Sequence, residues 1–460
     1  MMNKSSQSHQ EKEKIAFWLL NPASKIECLL LFLYFLLLPT QLGKHLWPDF
    51  TIVSGIRIDY LSPTLYSSDI LLILLIVVFL IRERRKFQIA KYINRKRLIF
   101  GGTFFLFVAC NIAFSLRPLL SFYGFLKLLE FAFIVTYLAK TIVKLIQLQI
   151  IVLPFAVGSL FESLLSLLQY LNQGSLNGIF YYLGERTFTG VTPGIANVSL
   201  GGSLILRPYA TFPHPNVLAG YLLVAMILVW NFLLSQKKLW IKVFAMVQLF
   251  VCTIALLLTF SRIAILLWGV LVLVIVVRMS IRLIKTNQVK LLMSYLVLIS
   301  FIIIWMLPLT HEVIVRFSQT SFFEESVIER TELLHASWLM IQQHPLVGVG
   351  LDNFIPSLAS LQEPRPLGLY LQPVHTIFVL IAAETGVIGL VLFIGFIIAT
   401  GVRIKNQERR IKGVLITLFF IIIVTGLFDH YWLTLQQGQL LFATVLGLSW
   451  ASYVSDKKNI

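Results

Sequence analysis

Long, almost uninterrupted apolar runs recur along this 460-residue chain, and nothing else in the sequence limits its possible folds so strongly. A helix needs about 20 apolar residues to cross the ~30 Å hydrocarbon core of a bilayer. Twelve such segments can be read, near 27–43, 65–81, 98–116, 121–139, 147–171, 214–234, 239–260, 263–280, 289–308, 375–401, 411–428 and 434–454. Charge is scarce, with 58% of residues hydrophobic and only 13% charged. A soluble domain carries about 25% charged residues. Too little polar surface is left to cover a globule of this size, which excludes a soluble enzyme, a disordered chain and a secreted disulfide scaffold. The expected fold class is all-α, a polytopic integral membrane protein of about twelve transmembrane helices. Cys28, Cys110 and Cys252 all lie inside apolar runs and read as small buried hydrophobes rather than disulfides or metal ligands.

The net charge of +17 could suggest nucleic acid, but its placement argues for topology. With the N-terminus inside, the tail and the stretches 82–97, 140–144, 237–242, 278–290, 403–412 and 457–458 collect 28 of the 38 Lys and Arg residues. That is the positive-inside pattern, with both termini cytoplasmic. The first 25 residues are too hydrophilic for a signal-peptide leader and no small-residue cleavage site follows the first span, so an uncleaved anchor is expected. Two outer segments are long: Asn172 to Pro213, and Leu309 to Val374. Loops of this length are usually functional or disordered. The second holds a helical pattern, ERTELLHASWLMIQQHP, with Leu333, Leu334, Trp338, Leu339 and Ile341 as its expected apolar face.

Ten basic residues fall outside the inner segments. Lys127 lies three residues before Glu130 on one helical face and reads as an internal ion pair. Lys44, Arg57, Arg117, Arg186, Arg316 and Arg365 read as ordinary loop residues. Arg207 opens RPYATFPHPN, where two prolines flank His214 and Pro215-Asn216 can start a helix. Arg262 sits in TFSRIA at an outer turn, where it either snorkels to the interface or faces a ligand. Arg330 starts the loop helix, a position where a cation opposes the macrodipole. His375 lies at the outer end of the tenth segment. Glu384 is nine residues on and on the opposite helical face; it and Glu162 are expected to meet neighbouring helices. Three guanidiniums on one side suit a polyanion such as phosphate, and an imidazole there can act as a general base. HExxH, Cys/His metal spacing and Walker loops are all missing from the sequence.

The runs RPYATFPHPNVLAGYL, TFSRIAIL, ERTELLHASWLMIQQHPLVGVGLDNF and HTIFVLIAAETGVIGLVLF resemble the O-antigen ligase and polymerase superfamily. The closest part is HPLVGVGLDNF followed by a histidine and E-T-G-V-I-G. LYSSDILLILL and LKLLEFAFIV look similar too. The resemblance implies a GT-C-like, metal-independent glycosyltransferase without cofactor on the outer face of the plasma membrane. Its donor would be a glycan on undecaprenyl diphosphate, and its acceptor a hydroxyl of a glycan or of a lipid-linked glycan. His375 matches the family histidine that activates the acceptor, and Arg207, Arg262 and Arg330 match arginines that handle the diphosphate. His214, Asn216, Asn353 and Glu384 are possible supporting residues. Thr376 stands where the family commonly has Asn, and SRI replaces SRG. Gly348 and Gly350 would let the loop approach the membrane surface, or simply make a tight turn.

The resemblance also suggests a division of the chain. A cytoplasmic tail (1–26) precedes an N-terminal transmembrane region (27–249, with outer loop 172–213). An O-antigen ligase-related core follows (250–400, including outer loop 309–374), then a C-terminal helix pair and tail (401–460). Ligase and polymerase differ only in acceptor, and the sequence leaves both open. A transporter of lipid-linked glycans is the alternative of another class. It is disfavoured because no internal repeat is seen and the distinctive residues gather at one face rather than at mid-membrane. No nucleic-acid partner is expected.

Overall fold

A computed structural model describes residues 22–83, 95–142, 148–200, 202–233, 236–286, 325–361 and 371–452. Helices occupy eleven of the twelve apolar segments; the segment 289–308 lies outside the described residues, as do Arg316 and Arg365. Six helices among the described residues are long and apolar enough to cross a membrane. They are Pro118–Thr141, Gln149–Asn172, Pro215–Phe232, Leu239–Leu258, Arg262–Lys285 and Ile377–Lys405. Five others are shorter or less apolar: Pro22–Leu37, Ser67–Glu83, Arg95–Ala113, Arg409–Gly426 and Gln436–Trp450. The chain is therefore a mostly helical membrane protein. Among the described residues it departs from all-α in three two-stranded antiparallel sheets, which pair Gly43–His45 with Thr64–Tyr66, Ile52–Val53 with Ile56–Arg57, and Asn197–Leu200 with Ser203–Leu206, and in one isolated bridge between Gly174 and Thr189.

Pro215–Phe232 is the central helix. It is buried on nearly every side and packs against Gln149–Asn172, Leu239–Leu258, Arg409–Gly426, Gln436–Trp450 and Arg262–Lys285. A helix apolar all round can be stable only when surrounded, and here its neighbours supply the surroundings. Arg262–Lys285 shows the opposite pattern, with Leu266, Val270, Leu273 and Val277 facing outward, as lipid-facing positions do. The expected Lys127–Glu130 pair forms at 2.5 Å, and Asp69 and Gln436 join it: Lys127 Nζ lies 3.3 Å from Asp69, and the Gln436 amide donates to both carboxylates. This network ties together three helices, Ser67–Glu83, Pro118–Thr141 and Gln436–Trp450. All three cysteines are free; Cys252 is buried and Cys28 and Cys110 half-buried.

Two helices differ from their sequence reading. Five described helical residues of Glu325–Gln343 precede Arg330, so Arg330 lies beyond the first turn and the macrodipole argument does not apply to it. The buried stripe of this helix is Leu333, Ala336, Ser337 and Met340, while Leu334 (46%) and Trp338 (58%) are exposed. Spacing of i, i+3, i+4 and i+7 is kept, but its phase follows the small residues that allow close packing. Ile377–Lys405 is broken at Gly386, which has φ 66° and ψ −172°.

The loop after Glu325–Gln343 fills the break. Val349 and Gly350 donate to the carbonyls of Ala383 and Glu384, and Val387 donates back to Pro345. Asn111 clamps the arrangement, donating to Val347 O and Glu384 O and accepting from Leu351 N. Helix carbonyls freed by the break are thus satisfied by protein rather than left in lipid. Gly348 and Gly350 have positive φ, and a Cβ on Gly348 would lie 2.3 Å from the Glu384 backbone. Gly348 thus lets the loop pack closely on the broken helix, while a Cβ on Gly350 would lie 2.2 Å from the Ser115 side chain.

Candidate active site

The site is built from the loop leading into the central helix. Two side chains of Gln149–Asn172 hold that loop by its backbone. Glu162 accepts from Thr211 N at 3.0 Å and Thr211 Oγ1 at 2.8 Å. Gln169 Oε1 accepts from Tyr209 N and Ala210 N. Glu162 therefore serves a loop rather than a neighbouring helix. The helix then begins as the sequence suggests, with Pro215 in its first turn and His214 as N-cap, whose Nδ1 accepts from Asn216 N at 3.1 Å. That acceptor role puts the proton of neutral His214 on Nε2.

From this start a chain of polar contacts crosses the end of the bundle. Arg207 Nε donates to Thr259 O and its Nη2 donates to Asn216 Oδ1, both at 2.7 Å. Asn216 Nδ2 donates to Asp429 Oδ2, also at 2.7 Å. Asp429 interacts electrostatically with three imidazoles, His430, His214 and His375. The His375 and His430 rings meet at 5.3 Å and 65°, and the Tyr60 ring meets His430 at 5.6 Å and 71°. His430 is 3% exposed, and its Nδ1 shares a 2.6 Å hydrogen bond with Thr434 Oγ1. His375 Nδ1 is buried and has no hydrogen-bond partner among the described residues. Arg330 acts electrostatically on both His375 and His430. Thr376 caps Ile377–Lys405 by backbone geometry, without a side-chain capping bond.

The imidazoles are kept neutral. Desolvation and the Arg207 charge push His214 down to about 3, against the opposing pull of Asp429. Desolvation takes His430 to about 4, and His375 also falls below its ordinary value, mainly by desolvation with Arg330 assisting. Desolvation alone would raise Asp429, but the positive charge the imidazoles acquire at low pH, together with the Asn216 amide, outweighs it and holds the carboxyl low. An unfolded chain would protonate these histidines near 6.5, so it binds protons that the folded protein refuses. Their contribution to stability is complete above pH 6.5 and is lost as pH falls from there toward 4. The unfolding midpoint in detergent is expected to drop steadily over that window; a flat profile from pH 7 to 4.5 would contradict it.

Of the residues singled out in the sequence, Arg207, His214, Asn216, Arg330 and His375 converge. Arg262 opens its helix three residues after Thr259, whose carbonyl takes Arg207. Asn353 and Glu384 belong to the broken-helix loop instead. Asn353 bonds Ser121 Oγ and Arg117 N, and Glu384 accepts from Phe354 N, across from Asp352. The sequence reading missed Asp429, His430 and Tyr60. The first two stand in the five-residue gap between the last two apolar segments; a search that followed leftover basic residues passed over them. Among the described residues, no group of three or more His, Cys, Asp or Glu side chains is arranged to hold a metal ion.

Residues 247–394 match the family model described as O-antigen ligase. That interval contains Arg262, Arg330, His375 and the broken-helix loop, while Arg207, Asn216 and Asp429 lie outside it. No curated protein matches the chain. The apolar helices mark a multi-pass membrane protein, and the match points to the O-antigen ligase/polymerase type for the segment it covers. The match covers about a third of the chain, and it is residues 247–394 that are similar to the O-antigen ligase family.

Proposed function

We propose that this protein is a glycosyltransferase that moves a glycan from undecaprenyl diphosphate to an acceptor hydroxyl on the outer face of the plasma membrane. The observation that carries this reading is the meeting, at one end of the bundle, of guanidiniums with an imidazole whose Nδ1 is buried and whose neighbours keep it neutral. In the reaction, the acceptor oxygen bonds to the anomeric carbon, the bond from that carbon to the diphosphate oxygen breaks, and undecaprenyl diphosphate leaves with the electron pair. His375 takes the hydroxyl proton on Nε2, and Asp429 stabilises the imidazolium that results. Arg207, with Arg262 and Arg330, offsets the charge developing on the leaving diphosphate. The remaining residues of the cluster hold these groups in place; no metal ion enters this scheme.

The outer-face assignment is supported by the charge pattern. The described basic residues of the stretches 82–97, 140–144, 237–242, 278–290 and 403–412, among them Arg82, Lys140, Lys238, Arg282, Lys285, Arg403 and Lys405, lie at the helix ends away from the cluster. Both termini are then cytoplasmic. The test is transfer by purified protein in nanodiscs, given an undecaprenyl-diphosphate-linked glycan with and without a separate acceptor. Glycan on the separate acceptor identifies a ligase; longer lipid-linked chains without it identify a polymerase. Folded protein that forms neither product overturns the reading in favour of transport.

A further inference from the structure

A neutral amide stands between Arg207 and Asp429. Its orientation is unambiguous: guanidinium can only donate and carboxylate can only accept, so the Asn216 carbonyl oxygen must face Arg207 and its NH2 must face Asp429. Both contacts are 2.7 Å, and the Asn216 backbone is fixed by its own bond to His214 and by Pro215 in the first helical turn. Few side chains can do this. Serine is too short to span the gap, and aspartate would present an acceptor to both neighbours. With an apolar side chain, opposite charges so close in a partly desolvated site would be drawn into a direct ion pair.

We propose that Asn216 is a positioning residue that keeps Arg207 and Asp429 from neutralising each other, leaving the guanidinium to receive an anion and the carboxylate to serve the base. This rests on the reading that Arg207 binds the diphosphate and His375 accepts the proton. One side chain then sets both halves of the reaction, the charge offered to the leaving group and the basicity of the imidazole. Groups that face His375 are Asp429 and His430 from the turn before Gln436–Trp450 and Arg330 from Glu325–Gln343, with His214 across Asp429. Asp429 is the carboxylate among them, so its loss to Arg207 has a definite sign: the imidazolium is disfavoured.

The experiment uses full-length protein in nanodiscs with 13C-labelled histidine, the His375 resonance being assigned by its absence in His375→Ala, and inorganic pyrophosphate as probe. In Asn216→Ala, Arg207 closes on Asp429. Pyrophosphate affinity is expected to fall about tenfold or more, and His375 to titrate lower by on the order of one pH unit. In Asn216→Asp the new carboxylate holds Arg207, so affinity falls again, but His375 titrates higher because a second negative charge has joined the cluster. Adding Asp429→Asn to Asn216→Ala is expected to restore pyrophosphate affinity.

A merely structural role would open the site to water and move His375 upward, toward 6.5, in both variants. That result, or unchanged pyrophosphate affinity in both, overturns the proposal while leaving the anion site intact. Wild-type protein that binds no pyrophosphate overturns the proposal and the anion-site reading together. Asn216→Ser replaces the alanine variant should that one fail to fold.

Discussion

His375→Ala is expected to lower the transfer rate by about 10²- to 10⁴-fold while leaving the unfolding midpoint in detergent within a degree or two of wild type. Both halves of this expectation come from the same geometry. His375 Nδ1 is buried and makes no hydrogen bond among the described residues, so truncation takes no partner from a donor or acceptor there. The neighbouring ring, His430, keeps its bond to Thr434 and its contact with Tyr60. Asp429 keeps its bond from Asn216. The substitution therefore removes a proton acceptor without dismantling the group that surrounds it. Near-normal transfer by the folded variant would remove His375 from the role of base.

The largest effect on the fold is expected from Gly386→Ala. Gly386 has φ 66° and ψ −172°, a region essentially confined to glycine. A Cβ there would lie 2.2 Å from Leu346 O and 2.6 Å from Val347 N. Both atoms are backbone, so no rotamer change relieves the contact. The loop would have to withdraw, breaking the bonds it makes to the Ala383 and Glu384 carbonyls and exposing them to lipid or to nothing. A loss of about 3 kcal/mol or more is expected, read as a large drop in the unfolding midpoint or a failure to accumulate folded protein. Gly395→Ala in the same helix is the control: a Cβ there meets nothing within 4 Å, and its effect should be small and of either sign. Equal behaviour of the two variants would contradict the broken-helix account.

The match to residues 247–394 and the site geometry divide the protein unevenly. The matched interval supplies His375 and Arg330, but their partners come from both flanks: Arg207 and Asn216 from before it, Asp429 and His430 from after it. Such a site cannot be carried by the core alone. The N-terminal helices contribute indirectly, since Glu162 and Gln169 hold the backbone that presents Arg207 and His214.

What could be read beforehand follows from how each feature is encoded. Apolar run length marks helices directly, and eleven of the twelve segments coincide with them; the other lies outside the described residues. The Lys127–Glu130 pair was legible because helical spacing alone brings it together, but Asp69 and Gln436 come from other helices and no local pattern announces them. The start of the central helix at Pro215 was legible for the same local reason. The buried stripe of Glu325–Gln343 was not, because its inner positions include Ala336 and Ser337, chosen for size rather than hydrophobicity. Gly386 reads as one glycine among several in a strongly apolar run; its unusual backbone exists only because a loop some forty residues earlier inserts there. Asp429 and His430 sit in a short connecting turn whose significance lies wholly in what it packs against.

Locating the leaving group tests the central claim most directly. Cryo-electron microscopy of the protein in nanodiscs with undecaprenyl diphosphate should place the diphosphate within hydrogen-bond distance of Arg207. His375 Nε2 should face the space beside its terminal phosphate. A diphosphate bound at the opposite end of the bundle, or held at mid-membrane away from Arg207 and His375, would contradict it.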